Sequence, residues 1–189
     1  KSGLLNNYDL LVKNFNSYTE NSSSYTEKED YEVFGSFLFK TSLPLKKINE
    51  KSKSYLEPIV AIRYSPNNTK NISDKDIRLD YNNIFSLNRI GTNEIVEGGK
   101  SISIGLEYEK RNLQDNKIIA FNIANSISDK KNDNLPTKSK LNETRSDFVG
   151  NLSYSPNSVL DFDYNFSYDK NFEGSNYDSI STTISVNNF

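Results

Sequence analysis

Large apolar and small polar residues alternate strictly along residues 160–168. The large set is Leu160, Phe162, Tyr164, Phe166 and Tyr168, and the polar set is Asp161, Asp163, Asn165 and Ser167. A period of two places the two sets on opposite faces of a β-strand. This stretch is therefore predicted to lie either in the wall of a transmembrane β-barrel, between lipid and a wet lumen, or half-buried in a soluble β-sandwich.

Similar alternation recurs along the chain and predicts eight strands joined as an antiparallel meander. Most of these stretches have roughly 9–11 residues, the length that crosses a membrane at a tilt. The segment 65–100 lacks clear alternation and is predicted to be a long loop, and the Lys-rich segment 41–54 is predicted to be a connection. Pro58 has no N–H, so we expect it near a strand start or on an irregular stretch. The expected strands cover residues 4–18, 31–41, 55–64, 101–110, 117–127, 145–155, 159–169 and 177–187.

The connections between the predicted strands alternate in length. The longer or more polar ones are 18–31, 65–100, 128–145 and 169–177. The short ones are 111–117 and 155–159, and 41–54 is an exception. Outer-membrane barrels combine short turns on one side with long loops on the other. A soluble sandwich has no reason to keep this alternation, so the pattern favours an all-β, antiparallel transmembrane barrel.

The amino-acid composition agrees with a barrel. Hydrophobic residues make up 34% of the chain, which is low for a packed soluble domain, whereas 12% aromatic residues are too many for a disordered one. A barrel with a wet lumen needs an apolar surface on one face of each strand, which explains both values. No run of the sequence approaches the roughly 18 apolar residues of a membrane helix.

Several kinds of chemistry are disfavoured by the residues that are present. The chain has no Cys and no His, which removes thiolate metal sites and the commonest general base. Its formal net charge is -2, with no basic stripe for nucleic acid. Asp74, Asp76 and Asp80 lack the spacing and the Gly of an EF-hand loop. We therefore expect no enzyme, no metal site and no cofactor.

The densest motif lies between residues 78 and 106. It reads Asp-Tyr-Asn-Asn-Ile-Phe-Ser-Leu-Asn-Arg from Asp80 to Arg89, then Glu-Gly-Gly at 97–99, before a strand with Gly105 and Leu106. This resembles the barrel domain of the LptD family of lipopolysaccharide-assembly proteins. There a loop of the form Asp-x-x-Asn-Leu-Phe-Ser-Leu-Asn-Arg precedes Asp-Arg-Val-Glu-Gly-Gly. The segment 93–95 departs from that form, so an acid–base pair expected there is absent. The matching loop residues are Asp80, Asn83, Phe85, Ser86, Leu87, Asn88, Arg89, Glu97, Gly98 and Gly99.

Two flanking motifs follow the order of the same family. The segment 56–60 with the Pro turn at 64–66 is similar to its Leu/Ile-Glu-Pro strand and turn. The segment 145–150 with Ser155-Pro156 resembles its Arg-Ser-Asp-Tyr-Val-Gly strand and turn. The resemblance covers about residues 43–170.

The resemblance implies that the protein passes a lipid rather than catalysing a reaction. It implies a very large barrel that inserts lipopolysaccharide into the outer leaflet of the bacterial outer membrane. The implied partners are lipopolysaccharide, the bilayer, an LptE-like lipoprotein plug and a periplasmic bridge that is reached through an N-terminal domain. With about eight strands and no such domain, the chain is expected to be an internal segment of the barrel wall. The parity of Phe189 differs from that of Ile184, so Phe189 is not expected to be the terminal aromatic residue of a barrel.

The two faces of the wall are assigned from the alternation. The expected lipid-facing residues are Ile102, Ile104, Leu106, Leu160, Phe162, Tyr164, Phe166 and Tyr168. The expected lumen-facing residues are Ser103, Glu107, Asp161, Asp163 and Asn165. The alternative is a soluble β-sandwich adhesin or a lipocalin-like carrier, in which the aromatic side chains of 160–168 would point inward.

The predicted loop contains apolar residues that need burial. We expect residues 69–99 to form an ordered extracellular loop, folded over the barrel mouth or onto the plug. Within it, Arg89 is expected to pair with Glu97 or Asp80. The apolar residues concerned are Ile84, Phe85, Leu87, Ile90 and Ile95.

Overall fold

The computed structural model describes residues 3–20, 28–91 and 95–185. These residues form one antiparallel sheet of nine strands in the order β1-β2-β4-β5-β6-β7-β8-β9, with β3 beside β4. The sheet is open, because β1 and β9 form its two edges. The strands are β1 Leu5–Thr19, β2 Lys28–Ser42, β3 Leu45–Ile48, β4 Lys53–Ser65, β5 Gly99–Arg111, β6 Lys117–Ser128, β7 Phe148–Tyr154, β8 Leu160–Tyr168 and β9 Ser175–Ile184. Within the described ranges, no helix has both the length and the apolar character needed to span a membrane. Phe189 lies outside the described residues.

The prediction that 41–54 is a connection is wrong for β3. Strands β2 and β3 lie end to end along β4, since Ser42 pairs with Ile59 and Leu45 pairs with Leu56. A tight turn then leads into β4, where the Asn49 N–H donates to the carbonyl of Ser52 at 2.8 Å. The Lys-rich composition of this stretch hid the strand, because β3 is exposed along its whole length. With β3 in place, the short turns join the strands at one of their ends, and the long connections 66–98 and 129–147 join them at the opposite end.

Pro58 lies inside β4, beside the break between β2 and β3. Its carbonyl accepts a hydrogen bond from the N–H of Leu43 at 3.1 Å. In an antiparallel strand the N–H and C=O of one residue point to the same neighbour. The missing donor of Pro58 therefore faces the break, where the ladder is already irregular, and the cost of a proline in a strand interior is avoided.

The strand register assigns every residue of the sheet to one of two faces. We call the face that the long connections cover the covered face, and the opposite one the bare face. One row of cross-strand partners on the covered face is Ile59, Gly105, Ala124, Val149 and Ser167. One row on the bare face is Ile62, Ile102 and Ile127, which are 43%, 44% and 48% exposed.

The hydrophobic core lies between the covered face and two connections, which we call the long loop (residues 66–98) and the second loop (residues 129–147). The long loop supplies most of the core, and the sheet contributes the small side chains of Ala124 and Val149. The layer opposite the sheet is therefore made of loops rather than of a second sheet. The core residues from the loops are Ile72, Leu79, Tyr81, Ile84, Ile90, Leu135 and Leu141.

The aromatic side chains of β8 lie on the bare face, away from this core, so the inward orientation that a sandwich requires is not found. None of them is as exposed as the band that a barrel wall predicts: Phe162, Tyr164 and Tyr168 are half-buried, and Phe166 is only 8% exposed. Its ring lies over Gly150, where a Cβ atom would overlap it, and it stacks on Phe121 with ring centroids 6.3 Å apart. Phe166 is thus buried by neighbours within its own face.

Candidate functional site

The motif of the long loop begins with a turn that is closed by two polar side chains. The Asp80 carboxylate accepts hydrogen bonds from the backbone N–H groups of Asn82 and Asn83 at 2.8 and 3.0 Å. In return, the side-chain oxygen of Asn83 accepts from the Asp80 N–H at 3.0 Å, and its amide donates to the carbonyl of Arg78 at 2.9 Å. Asp and Asn favour such turns because their short side chains replace backbone partners. The turn sets the direction of the following apolar residues toward the sheet.

The ring of Phe85 lies directly on the backbone of Gly105 in β5. A Cβ atom at residue 105 would lie 2.5 Å from Cζ of Phe85 and 2.9 Å from the carbonyl oxygen of Ile123. Phe85 also meets Tyr81 edge to face, with ring centroids 5.7 Å apart and an interplanar angle of 76°. The Tyr81 hydroxyl donates to the Glu107 carboxylate at 2.9 Å. Gly105 is therefore the flat surface on which the loop is seated.

We expect Gly105→Ala to lower the free energy of unfolding by about 1–3 kcal/mol, since the added methyl group overpacks this contact. Urea titration of the intact, detergent-solubilised protein measures the change. Gly35→Ala is the matched control, because no atom lies within 4 Å of a Cβ placed at residue 35 of β2. A similar loss of stability in both variants would contradict the role given to Phe85.

A buried ion cluster joins the end of the long loop to β4. Arg89 and Glu97 are 2% and 3% exposed, and Arg63 of β4 is 3% exposed. Arg89 Nε donates to Glu97 Oε2 at 3.0 Å, and its Nη2 also binds Oε1 of the same carboxylate. Arg63 donates to Glu97 twice, at 2.6 Å to the backbone carbonyl and at 2.7 Å to Oε1. The sequence-based prediction that Arg89 pairs with Glu97 or Asp80 is confirmed for Glu97.

The cluster continues onto two serines of the sheet. Arg89 Nη1 donates to Ser126 Oγ of β6 at 2.6 Å. Ser103 of β5 bonds Ser126 at 3.1 Å and donates to the carbonyl of Ile84 in the loop at 3.1 Å. The loop is thus attached to three adjacent strands by polar bonds that are shielded from water. Such shielding strengthens each charge-assisted hydrogen bond.

The charge state of Glu97 follows from its two guanidinium partners. Burial raises the pKa of Glu97, but the charges of Arg89 and Arg63 and the hydrogen bond from Arg89 outweigh burial and hold the pKa below its usual value of 4.5. A carboxyl group with a lowered folded-state pKa contributes stability above its unfolded-state pKa. That contribution is lost as the pH falls through the folded-state pKa.

We therefore expect the docking of the loop to weaken in acid. The free energy of unfolding should decrease as the pH is lowered from about 5. The decrease should be smaller in Glu97→Gln, which has no carboxyl group to protonate at residue 97. Urea titrations of both proteins over that range provide the test. Parallel pH profiles for the wild type and the variant would show that Glu97 is not the group responsible.

The two glycines that end the motif allow the loop to return to the sheet. A Cβ atom at Gly98 would overlap the carbonyl oxygen of Asn67, and Gly99 has a φ of +96°. The Gly98 N–H donates to Thr69 Oγ1 at 2.9 Å. The second loop joins the same point, since the Asn132 side chain donates to Thr69 Oγ1 at 2.9 Å. Thr69 therefore ties both loops together.

A second buried carboxylate anchors the other end of this assembly. Asp147 is completely buried, and its Oδ2 accepts hydrogen bonds from Ser167 at 2.9 Å and from Asn176 at 2.8 Å. The second loop reaches the long loop nearby, where Ser139 donates to the carbonyl of Leu79 at 2.8 Å. Asp147 belongs to the flanking motif at 145–150. Its buried hydrogen bonds to Ser167 and Asn176 are a structural role for this motif.

The predicted site residues are divided between three environments. The loop-motif residues lie in the docked loop, except Gly99, which begins β5. Ser86, Leu87 and Asn88 of this loop are half-buried. The residues predicted to face lipid are all on the bare face: Ile102, Ile104, Leu106, Leu160, Phe162, Tyr164, Phe166 and Tyr168. The residues predicted to face a lumen are all on the covered face: Ser103, Glu107, Asp161, Asp163 and Asn165. The two sets are thus on opposite faces, and their contact with lipid or lumen stays a prediction.

Sequence reasoning missed Arg63, Ser126 and Thr69 as partners of the loop. Arg63 carried no signal, because it lies on the polar parity of its strand, where a wet lumen also allows a charge. Ser126 and Thr69 carried none, since serine and threonine are common throughout the chain. Two of the three acidic residues considered for calcium have structural partners, since Asp76 pairs with Lys138 and Asp80 closes its turn.

A polar cavity of about 430 Å³ lies where the two loops meet the ends of β5 and β6. Its lining includes the amides of Asn67, Asn132 and Asn134 and the charged side chains of Lys131 and Asp133. Such a lining suits water and hydroxyl groups rather than apolar ligands. Among the described residues, no group of three or more acidic side chains is arranged to hold a metal ion.

The family model for LptD, described as LPS transport system D, matches residues 5–189, which include all nine strands and both loops. No curated protein matches the chain.

Proposed function

Because this chain belongs to the LptD family of lipopolysaccharide-transport proteins, we propose that its sheet is part of the wall of an outer-membrane barrel that assembles lipopolysaccharide in the outer leaflet. The observation that carries the proposal is the division of one continuous sheet into a mostly apolar bare face and a mostly polar face that loops cover. Transmembrane barrel strands have this division, since one face meets acyl chains and the other lines the interior.

The bare face supports contact with lipid along its whole width. At one edge of the sheet, Tyr8, Leu10 and Val12 of β1 are 67%, 74% and 68% exposed. Toward the other edge, Ile180 and Ile184 of β9 are also largely exposed. Apolar patches of this extent are rare on soluble monomers. A bilayer would remove the whole face from water.

The open edges support a wall that continues beyond these strands. Among the described residues, β1 and β9 each leave one side of their backbone without a partner in the sheet. Unpaired N–H and C=O groups cannot be left in a bilayer, where no water satisfies them. We therefore propose that further strands pair with both edges and complete a larger barrel.

The covered face would line the interior of that barrel. The long loop covers the part of this face around Ser103 and Glu107. Asp161, Asp163 and Asn165 are only half-buried, which leaves part of each side chain open to a partner. We propose that this open part meets an LptE-like lipoprotein plug or the sugar portion of lipopolysaccharide. The periplasmic bridge would deliver the lipid through another domain of the protein. The protein itself would be located in the outer membrane.

Site-specific photocrosslinking tests this assignment with two adjacent residues. A photoreactive amino acid at residue 161 of the full-length protein in cells should crosslink to lipopolysaccharide or to a lipoprotein, whereas the same group at residue 162 should crosslink to bilayer lipid. The neighbouring positions are the matched control, because they share the strand and its depth. Depletion of the protein should in parallel lower the lipopolysaccharide at the cell surface. Normal surface lipopolysaccharide after depletion would refute the function, and equal crosslinks at both positions would refute the faces.

A further inference from the structure

Two cationic side chains lie on the mostly apolar bare face, near the strand ends that the long connections join. Lys100 is the cross-strand partner of Tyr64 on this face. Arg145 forms an isolated backbone β-bridge with Ile127, and Ile127 pairs with Ile102. Arg145 therefore continues the row of isoleucines on this face. Both Lys100 and Arg145 are exposed.

Each cation is held against an aromatic ring of the same face. Lys100 Nζ lies 5.7 Å from the ring centroid of Tyr64, and the guanidinium carbon of Arg145 lies 5.3 Å from that of Phe148. Arg145 Nε also donates to the side-chain oxygen of Asn125 at 3.2 Å. Asn125 is itself buried and held by the carbonyl groups of residues 146 and 147. The arginine is therefore oriented by a fixed partner rather than left free.

These two charges lack a carboxylate partner among the described residues, since neither forms an ion pair there. Asp178 also lies on the bare face, but its carboxylate accepts hydrogen bonds from Tyr164 and Ser175. A cation on a lipid-exposed face is tolerated near the interface and not at the middle of the bilayer. The surrounding aromatic rings are also typical of the interface, and Phe172 stacks on Phe148 with ring centroids 4.6 Å apart.

We propose that Lys100 and Arg145, with Tyr64 and Phe148, form a contact site for the phosphate groups of an anionic lipid on the outside of the barrel wall. This inference rests on the proposed membrane location but concerns a different face from the one assigned to transport. The rings would lie at the level of the glycerol or sugar region of the lipid, and the two cations would bind its phosphates. The site would match an anionic lipid in two ways. The cations would lie at the level of its phosphates, and the apolar rows next to them would contact its acyl chains.

The test measures which lipids remain bound to the full-length protein. The protein is reconstituted in vesicles of mixed phosphatidylcholine and phosphatidylglycerol, extracted in mild detergent, and its retained lipids are quantified by mass spectrometry. The wild type should be enriched in phosphatidylglycerol. Each of Lys100→Gln and Arg145→Gln should lower the enrichment by about fivefold, the usual contribution of one basic residue at an anionic surface.

Two further variants serve as controls. Arg145→Lys keeps the charge and should retain the enrichment, while Lys75→Gln removes an exposed charge from the long loop and should leave it unchanged. Added inorganic phosphate should not displace the lipid, and complete displacement would identify a free-anion site instead. A wild type that inserts into the vesicles but retains both lipids equally would overturn this inference alone. A wild type that inserts into no vesicle would overturn the proposed membrane function as well.

Discussion

Glu97→Gln is expected to lower the free energy of unfolding of the intact protein by about 3–5 kcal/mol. The substitution keeps the shape of the side chain but removes the negative charge between Arg63 and Arg89. Two guanidinium groups would then remain buried without their counter-charge, and this penalty is much larger than the loss of one hydrogen bond. Urea titration of the protein folded in lipid vesicles measures the effect.

Two comparisons separate the charge effect from a general loss of packing. Glu143→Gln removes a carboxylate whose pairing with Lys131 at 3.6 Å is largely exposed, and it should change stability by less than about 1 kcal/mol. Combining Glu97→Leu with Arg63→Met and Arg89→Met should restore much of the lost stability, because no buried charge then lacks a partner. A triple variant as unstable as Glu97→Gln would show that the cluster acts through its specific hydrogen bonds rather than through charge balance.

Phe162→Arg is expected to cost about 2–4 kcal/mol if its position lies near the middle of the bilayer. The bare face carries Phe162 between acyl chains in the proposed wall, so the substituted guanidinium would lose its hydration. Asn165→Arg is the matched control on the same strand, and it should be tolerated because the covered face is expected to be wet there. Folding yields and urea titrations in lipid vesicles provide the comparison. Equal losses in the two variants would refute the assignment of the faces.

The alternation in β8 shows how far local pattern reasoning carries. A period of two is a property of the extended backbone, so opposite faces for Phe162 and Asp163 follow from the sequence once the strand exists. The pattern could not decide what each face meets, because a bilayer and a protein core both favour apolar residues. Register with the neighbouring strands and the position of the loop core show that these apolar residues lie on the face opposite the core, and their contact with a bilayer stays a prediction.

The loop motif illustrates a different limit. The apolar content of the long loop was enough to predict burial, and the charges of Arg89 and Glu97 were enough to predict an ion pair. The sequence could not identify Arg63, whose pairing with Glu97 spans the whole loop and depends on how the chain returns to the sheet. The same holds for β3, since an exposed strand of four residues is stabilised by its pairing with β4 and leaves no hydrophobic period.

The sequence by itself determined the all-β class, the approximate positions of eight strands, their two unlike faces and the resemblance to a transport family. These features depend on local alternation, turn residues and motif order, which are all present in the linear chain. Tertiary structure decided the ninth strand, the seating of Phe85 on Gly105 and the buried contacts of Arg63, Ser126 and Asp147. Those features depend on which distant backbone segments become neighbours, and a residue's own chemistry does not specify its partner until the sheet has brought the two together.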